Sequence, residues 1–321
     1  MSISSPARSG GAASPSLALD PEHLGLQREV AQTALGDVVV RAGRRAGGPA
    51  TLLLHGAAGS WTTWIPLIEA SGRLGRPLAD VVAIDLPGWG ESVADTRGVG
   101  VQQMTAAVAE VVLARGYGSW RVIGHSLGGL IALDLASRHP ERTISVGLVS
   151  PSGPAVIDAI RRPWRGGRRL PWFAGMLLAM RLFSPLGRAG RVLATALHRL
   201  GVLTLLAAPL FAARGALDPS VFEALAREVR PGAFADAARA AARYDLRAWG
   251  GIHAPVRAVR GARDVFVGAD DRAALTRLIP DYREHTIVGA GHFAAIERPE
   301  IVLDALLPAS VVRGSRVAER V

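Results

Sequence analysis

The hydrophobic pattern of the chain alternates between short apolar runs and longer amphipathic stretches. Apolar, β-branched runs predict eight strands near residues 28–33, 37–42, 50–54, 80–84, 120–124, 144–149, 255–260 and 283–288. Helical stretches separate most of the later strands, which predicts a mostly parallel sheet covered by helices on both faces, an α/β fold. The turn Leu35-Gly36-Asp37 joins the first two runs, so these runs are expected to form an antiparallel hairpin at one edge.

The alternation stops between residues 151 and 250. This stretch is rich in Leu, Ala and Arg and is interrupted by prolines at 163, 171, 185 and 209, which predicts several short helices. We therefore expect a core in two parts, 26–150 and 251–308, with a helical insertion at 151–250. Residues 1–25, rich in Ser, Ala, Gly and Pro, and residues 309–321 are expected to be tails, the first of them disordered.

Composition narrows the function classes. The formal charge of +10 comes from arginine alone, spread through a chain without lysine, and no nucleic-acid-binding motif is readable. The absence of cysteine excludes disulfides and thiolate metal sites, and the histidines form no metal-binding cluster. The longest apolar run, 201–213, is too short for the roughly 20 residues that span a bilayer. We expect a cytoplasmic protein with no cofactor, no metal and no nucleic-acid partner.

One serine lies in a pattern typical of a nucleophile. Ser126 stands in Gly124-His-Ser-Leu-Gly128 at the end of a predicted strand, where small neighbours leave space for a sharp turn into a helix. A second strand ends in the glycine loop His55-Gly-Ala-Ala-Gly59. The backbone N–H groups of Ala57 and Leu127 are therefore candidates for an oxyanion hole.

Two more candidates follow later strands. Asp264 comes after the strand near 255–260, and His292 comes after the strand near 283–288. Each residue of the set Ser126, Asp264 and His292 thus lies just beyond a strand, in the chain order described for α/β-hydrolases. Asp158, Asp270 and Asp271 are weaker candidates for the acid, because Asp264 alone follows its strand in a Gly-x-x-Asp turn.

Over residues 28–308 the chain resembles the α/β-hydrolase fold superfamily. Besides the serine motif, Asp85-Leu-Pro-Gly-Trp-Gly-Glu-Ser92 looks like the family's turn after the fourth strand, and Gly291–Glu300 looks like its histidine loop. The resemblance implies an eight-stranded α/β-hydrolase core, a Ser-His-Asp triad, and a cap between strands six and seven. Family members that hydrolyse haloalkanes or epoxides carry aspartate at the serine position, so those activities are not expected.

The function that we predict is a serine hydrolase, of the carboxylesterase or lipase type, acting on a lipophilic small-molecule ester through an acyl-enzyme. Thioesterase, C–C hydrolase, perhydrolase, biosynthetic lyase or cyclase activity remain open, as does a catalytically silent binding protein. Residues predicted to line the substrate pocket are Trp61, His125, Trp164, Trp172, Phe173 and Phe293.

The predicted cap also carries many basic side chains. Its apolar segments are interrupted by arginines at 161, 162, 165, 168, 169, 181, 188 and 191. A basic, partly apolar surface of this kind is compatible with weak contact to an anionic membrane. A solvated helix face is the simpler interpretation, and the oligomeric state is not predicted.

Overall fold

The structure is a computed structural model that describes residues 16–18 and 20–307, without the side chains of residues 188, 191 and 193–195. Among these residues, eight strands form one sheet: β1 (Leu26–Thr33), β2 (Gly36–Gly43), β3 (Ala50–Leu54), β4 (Val81–Ile84), β5 (Trp120–His125), β6 (Thr143–Val149), β7 (Val256–Gly261) and β8 (Tyr282–Ile287). Each predicted strand is present, with ends within two residues of the expected positions.

The strand order in the sheet is β1-β2-β4-β3-β5-β6-β7-β8. β1 and β2 form the predicted antiparallel hairpin, and β2 also pairs antiparallel with β4. The pairs from β4 through β3, β5, β6 and β7 to β8 are parallel. Parallel strands point their carboxyl ends to the same edge, so the loops after β3, β5, β7 and β8 meet there.

Helices cover both faces of the sheet. Outside the segment between β6 and β7 they are α1 (Ile65–Arg73), α2 (Val101–Ala114), α3 (Leu127–Arg138), α11 (Asp271–Leu278), α12 (Ala294–Glu297) and α13 (Pro299–Leu306). Neighbouring strand residues enter opposite cores: Leu52 and Leu54 pack with α2 and α3, whereas Leu53 packs with α1 and α13. This period of two explains why fully apolar runs form strands buried on both sides.

The segment between β6 and β7 is helical, as predicted, and we call it the insertion. Its helices are α4 (Pro154–Arg161), α5 (Pro163–Arg169), α6 (Pro171–Phe183), α7 (Arg188–Arg199), α8 (Val202–Ala207), α9 (Pro219–Glu228) and α10 (Pro231–Arg243). Pro163 and Pro171 each occupy the first position of a helix, where the missing N–H costs nothing. The inner helices α4, α6 and α10 pack on one another and bury apolar side chains in the same core as α2 and α3.

The N-terminal tail ends earlier than predicted. Leu17 is buried, and its N–H donates to Ser220 Oγ at 2.8 Å. Residues Pro21–Leu24 form a 3-10 helix before β1. This part of the predicted tail therefore packs on the domain, while residues 1–15 and the predicted tail at 309–321 lie outside the described residues.

Candidate active site

Ser126 occupies a strained turn between β5 and α3. Its φ of 50° and ψ of −114° lie outside the regions that non-glycine residues favour, a conformation that costs of order 1–3 kcal/mol and persists only when the surroundings impose it. Two glycines make the turn possible. A Cβ at Gly124 would lie 2.7 Å from the Gly129 nitrogen, and a Cβ at Gly128 would lie 2.6 Å from the His55 carbonyl oxygen.

His292 and Asp264 are brought together from the ends of β8 and β7. His292 Nδ1 lies 3.0 Å from Asp264 Oδ1 and 3.2 Å from Oδ2, and both side chains are buried. Because an ionised carboxylate can only accept hydrogen bonds, Nδ1 carries the proton and Nε2 is left as an acceptor. Ser126 and His292 line the same cavity, and the structure gives no hydrogen bond between their side chains, which is common before substrate binds.

The Asp264 carboxyl is held in its charged form. Burial would raise its pKa, but the interaction with His292 and hydrogen bonds from His292 and from the Phe266 N–H outweigh burial and lower the pKa. The Phe266 N–H donates to Oδ1 at 2.8 Å. Phe266 also packs edge-on against the His292 ring, with centroids 4.8 Å apart. These contacts fix both the charge of the acid and the orientation of the imidazole.

The loop that carries His292 is fastened to the insertion. The His292 N–H donates to the Leu210 carbonyl at 2.7 Å. Glu297 accepts from the Gly291 N–H at 2.6 Å and from the Ala212 N–H at 2.7 Å. The position of the histidine therefore depends on the packing of the insertion as well as on the sheet.

His125 is a buried neutral support for this loop. Its Nε2–H donates to the His292 carbonyl at 3.1 Å, and its ring lies 4.8 Å from those of His292 and Phe293. Burial, followed by repulsion from His292, lowers the pKa of His125 to about 3. Because its Nε2–H is bonded to the His292 carbonyl, this neutral side chain supports the histidine loop.

The glycine loop after β3 is held by two buried polar side chains. His55 Nε2 accepts from the Leu86 N–H at 2.9 Å, and burial lowers the pKa of His55. Asp85 accepts from the Trp61 N–H at 2.8 Å and from the Glu91 N–H at 2.9 Å. The motif at 85–92 thus anchors the turn after β4 against the glycine loop.

The two candidate oxyanion donors lie at the cavity. Ala57 and Leu127 line it together with Ser126. Leu127 is the first residue of α3, where backbone N–H groups have no acceptor within the helix and face the positive end of the helix dipole. The structure therefore supplies a helix N-terminus and a glycine loop on the same side of the serine.

The cavity itself is small and mainly apolar. Its volume is about 90 Å³, below the roughly 300–1,000 Å³ of sites that hold drug-sized ligands. The insertion supplies most of its wall, namely Val156, Ile160, Phe173, Met176, Leu210, Leu225, Phe234, Ala237, Ala238 and Ala241. Ser152, which precedes α4 in the insertion, and Ala58, Phe266 and Phe293 from outside it complete the lining.

The six predicted pocket residues divide into two groups. Phe173 and Phe293 line the cavity. Trp164 and Trp172 do not, because their side chains are 91% and 47% exposed. Trp61 is buried beneath the Arg41 guanidinium and is not part of the lining. His125 is not part of the lining either, because its ring packs against the histidine loop. Aromatic character alone did not tell which way a side chain points.

Sequence reasoning also missed one wall of the cavity. Phe234, Ala237, Ala238 and Ala241 lie three or four positions apart on α10 and share one face. This spacing is the helical period, so the signal was present in the sequence. Phe266 had no comparable signal, because its contact with His292 depends on the shape of the loop after β7.

Within the described residues, no cluster of three or more His, Asp or Glu side chains is arranged to hold a metal. Among the same residues, no helix has both the length and the apolar character needed to cross a membrane.

The sheet order and the strand-end residues define an α/β protein of the hydrolase type. The chain belongs to the alpha/beta hydrolase fold family, whose model matches residues 49–299. The family assignment and the fold expected from the sequence are thereby confirmed.

Curated relatives match over shorter stretches. The chain is 41% identical over 118 residues to the dihydrolipoyllysine-residue acetyltransferase component of the acetoin cleaving system of Cupriavidus necator, covering 36% of this chain and 30% of that protein. It is 34% identical over 119 residues to the pimeloyl-[acyl-carrier protein] methyl ester esterase of Vibrio campbellii, covering 37% and 42%. The chain thus spans less than half the length of these relatives.

Solved structures match over nearly the whole chain. A putative lipase from Acinetobacter baumannii superposes with a TM-score of 0.70 at 20% identity, covering 92% of this chain and 94% of that one. A bacterial membrane phospholipase A superposes with a TM-score of 0.69 at 23% identity, covering 92% and 88%. At these identities the similarity shows the shared fold.

Proposed function

We propose that this protein is a serine hydrolase that cleaves a carboxylic ester with an apolar acyl group. The observation that carries the proposal is the placement of Ser126 and His292 on one apolar cavity, with Asp264 3.0 Å behind the imidazole. The similarity to the pimeloyl-[acyl-carrier protein] methyl ester esterase and to a putative carbamate hydrolase of Agrobacterium fabrum, 38% identical over 94 residues, supports hydrolysis at a carbonyl group.

In this proposal His292 acts as the general base. Its Nε2 takes the Ser126 hydroxyl proton while Oγ attacks the ester carbonyl, and Asp264 stabilises the imidazolium that forms. The oxyanion of the tetrahedral intermediate accepts hydrogen bonds from the Ala57 and Leu127 N–H groups. The imidazolium then protonates the leaving alcohol, and water releases the acyl group by the same steps in reverse order.

The insertion serves as a cap in this scheme. Its apolar wall excludes water from the reacting carbonyl, which strengthens the hydrogen bonds to the oxyanion. Because the cavity is only about 90 Å³, we expect short acyl groups to fit the closed state. Longer acyl groups require the cap helices to move.

Labelling with a fluorophosphonate probe tests the nucleophile directly. Mass mapping should place the label on Ser126, and Ser126→Ala and His292→Ala should both remain unlabelled. On short p-nitrophenyl esters, Ser126→Ala should lower kcat by up to roughly 10⁶-fold. Ser137→Ala is the control, because that hydroxyl donates to the Asp134 carbonyl on α3, away from the cavity.

Labelling, combined with assays on matched thioesters and oxygen esters, distinguishes the alternative functions. A labelled enzyme that cleaves thioesters faster than matched oxygen esters is a thioesterase, and one that accepts neither directs the search to C–C hydrolase, perhydrolase or lyase substrates. Folded protein that takes no label at Ser126 would favour a closed cap or a catalytically silent binding protein, and the ester assignment would be withdrawn until substrate binding is shown.

A further inference from the structure

The net charge of the chain is concentrated in one part of the insertion. Residues 159–217 contain ten arginines and no Asp or Glu. The formal charge of this stretch therefore equals the +10 of the whole chain, and the remaining residues are neutral in sum. A charge confined to about 60 residues is a local electrostatic surface and not a general property of the protein.

The same stretch exposes an unusual amount of apolar surface. Of the eighteen large hydrophobic side chains that are exposed among the described residues, eleven lie between 164 and 206. They are Trp164, Trp172, Leu178, Leu182, Phe183, Leu186, Val192, Leu200, Val202, Leu205 and Leu206. We call the exposed side of helices α5 to α8 the insertion surface. Clusters of exposed apolar residues with polar neighbours mark interaction sites.

Arginines and apolar side chains alternate on this surface. Arg165 and Arg168 follow Trp164 by one and four residues on α5, and Arg181 lies between Leu178 and Leu182 in the exposed part of α6. Val192, Arg199 and Leu200 line one shallow hollow on α7. Within the described part of the chain, Arg165, Arg168, Arg169 and Arg181 have no ion-pair partner. Their side chains are exposed, so their charges can reach an anionic partner.

The chemistry of the surface favours a lipid over other partners. Exposed Leu and Val side chains gain nothing from a nucleic acid, whose recognition uses stacking and phosphate contacts. A second copy of the chain would place the same basic stretch against this surface, which is electrostatically unfavourable. An anionic bilayer provides phosphate groups for the arginines and acyl chains for the Leu, Val and Trp side chains.

We propose that the insertion surface binds the surface of an anionic phospholipid membrane. Trp164, Leu178 and Leu182 enter the interfacial layer, and the neighbouring arginines bind the headgroups. Helix α6 also carries Phe173 and Met176 on its cavity side. This helix consequently stands between the membrane and the cavity, so displacing it would open the cavity toward the lipid.

Vesicle binding of the full chain tests the proposal, with Ser126→Ala as the background so that turnover plays no part. Vesicles of phosphatidylcholine alone are compared with vesicles containing 30% phosphatidylglycerol. Arg168→Ser/Arg169→Ser should weaken binding to the anionic vesicles by roughly 25-fold at low salt, since each arginine near such a surface is worth about fivefold. Leu178→Ser/Leu182→Ser should weaken it by at least tenfold. Val93→Ser and Val288→Ser are matched controls, because these side chains are 83% and 85% exposed but lie outside the insertion.

Brominated lipids report which residue enters the membrane. Trp164 and Trp172 are 91% and 47% exposed on this surface, whereas Trp64, Trp89, Trp120 and Trp249 are fully buried. Quenching should therefore fall in Trp164→Phe and fall further in Trp164→Phe/Trp172→Phe. Equal binding to both vesicle types, or no binding to either, would overturn the proposal. Loss of binding in the controls would overturn it as well, as would concentration-dependent dimerisation that the arginine and leucine variants abolish.

The outcome is independent of the proposed function. If the Ser126→Ala protein binds anionic vesicles, the proposed membrane binding of the insertion surface is supported even if the unsubstituted protein hydrolyses no ester. An active esterase that binds no vesicle refutes the membrane surface alone.

Discussion

Gly128→Ala tests whether the geometry of the serine turn controls catalysis. Gly128 is in the first turn of α3, and its Cα faces the end of β3. An added Cβ would lie 2.6 Å from the His55 carbonyl oxygen and closer still to that of Leu54, whereas ordinary contacts are 3.4–4 Å. The helix and the strand must therefore separate by about 1 Å, because backbone atoms cannot rotate away as a side chain can.

This separation acts on the candidate oxyanion hole. Leu127 moves with α3, and Ala57 moves with the loop that follows β3, so the two N–H groups are displaced relative to each other. A 1 Å misplacement of catalytic groups costs roughly 10²-fold, and losing one oxyanion donor costs about 10²–10³-fold in kcat. We expect kcat to fall by about 10²–10³-fold while KM changes little.

The effect on stability should be smaller. Overpacking lowers the free energy of unfolding by about 1–3 kcal/mol. Replacing glycine by alanine in a helix raises it by up to about 1 kcal/mol. Gly72→Ala is the matched control, because nothing lies within 4 Å of its added Cβ on α1. This variant should keep full activity and unfold at the same temperature or slightly higher.

The assay combines steady-state hydrolysis of p-nitrophenyl butyrate with thermal unfolding followed by circular dichroism. A folded Gly128→Ala enzyme with kcat within threefold of the unsubstituted protein would refute the reasoning, because the clash would then be relieved without moving the donors. If Gly128→Ala is unfolded at the assay temperature but active at a lower temperature, the main effect of the substitution is on stability.

Three further predictions follow from the site and its surroundings. Asp264→Asn should lower kcat by about 10⁴-fold with little loss of folding, because the amide leaves His292 in the wrong tautomer; a pH–rate profile on the folded variant checks it. Burial raises the pKa of the Asp271 carboxyl to about 6 in the folded protein, so this carboxyl loses its proton at lower pH in the unfolded chain than in the folded one. The free energy of unfolding should therefore fall by about 2 kcal/mol between pH 4 and pH 6. Urea titrations should find this fall absent in Asp271→Asn. Ala238→Leu narrows the cavity and should lower kcat/KM for octanoyl esters at least tenfold more than for acetyl esters, which a chain-length series measures.

Much of the core could be predicted because its signals are local. Apolar β-branched runs specify strands buried on both faces, and the glycines around Ser126 reflect a turn with no space for a Cβ. Asp264 and His292 could be placed near the serine because parallel strands end at the same edge of the sheet. These inferences depend on backbone geometry, which short motifs encode directly.

The insertion could not be predicted to the same depth. Helix α6 carries apolar side chains on both its cavity side and its exposed side, so its pattern does not say which side is buried. Aromatic character predicts Trp164 in the pocket although its side chain is exposed, and it does not mark the small alanines of α10 as wall residues. Helix packing decides these points, and it depends on contacts between elements far apart in the chain.

The insertion also sets the order in which the site can be assembled. β6 and β7 are neighbours in the sheet, yet the whole insertion lies between them in the chain. During synthesis, the segment with the strained serine emerges before the insertion, and the acid and the histidine emerge after it. The histidine loop then needs the Leu210 carbonyl of the insertion as its acceptor. In a nascent chain, Ser126 therefore lacks the acid and the histidine until β7 and β8 pair with the sheet. The onset of activity would then report that folding is complete.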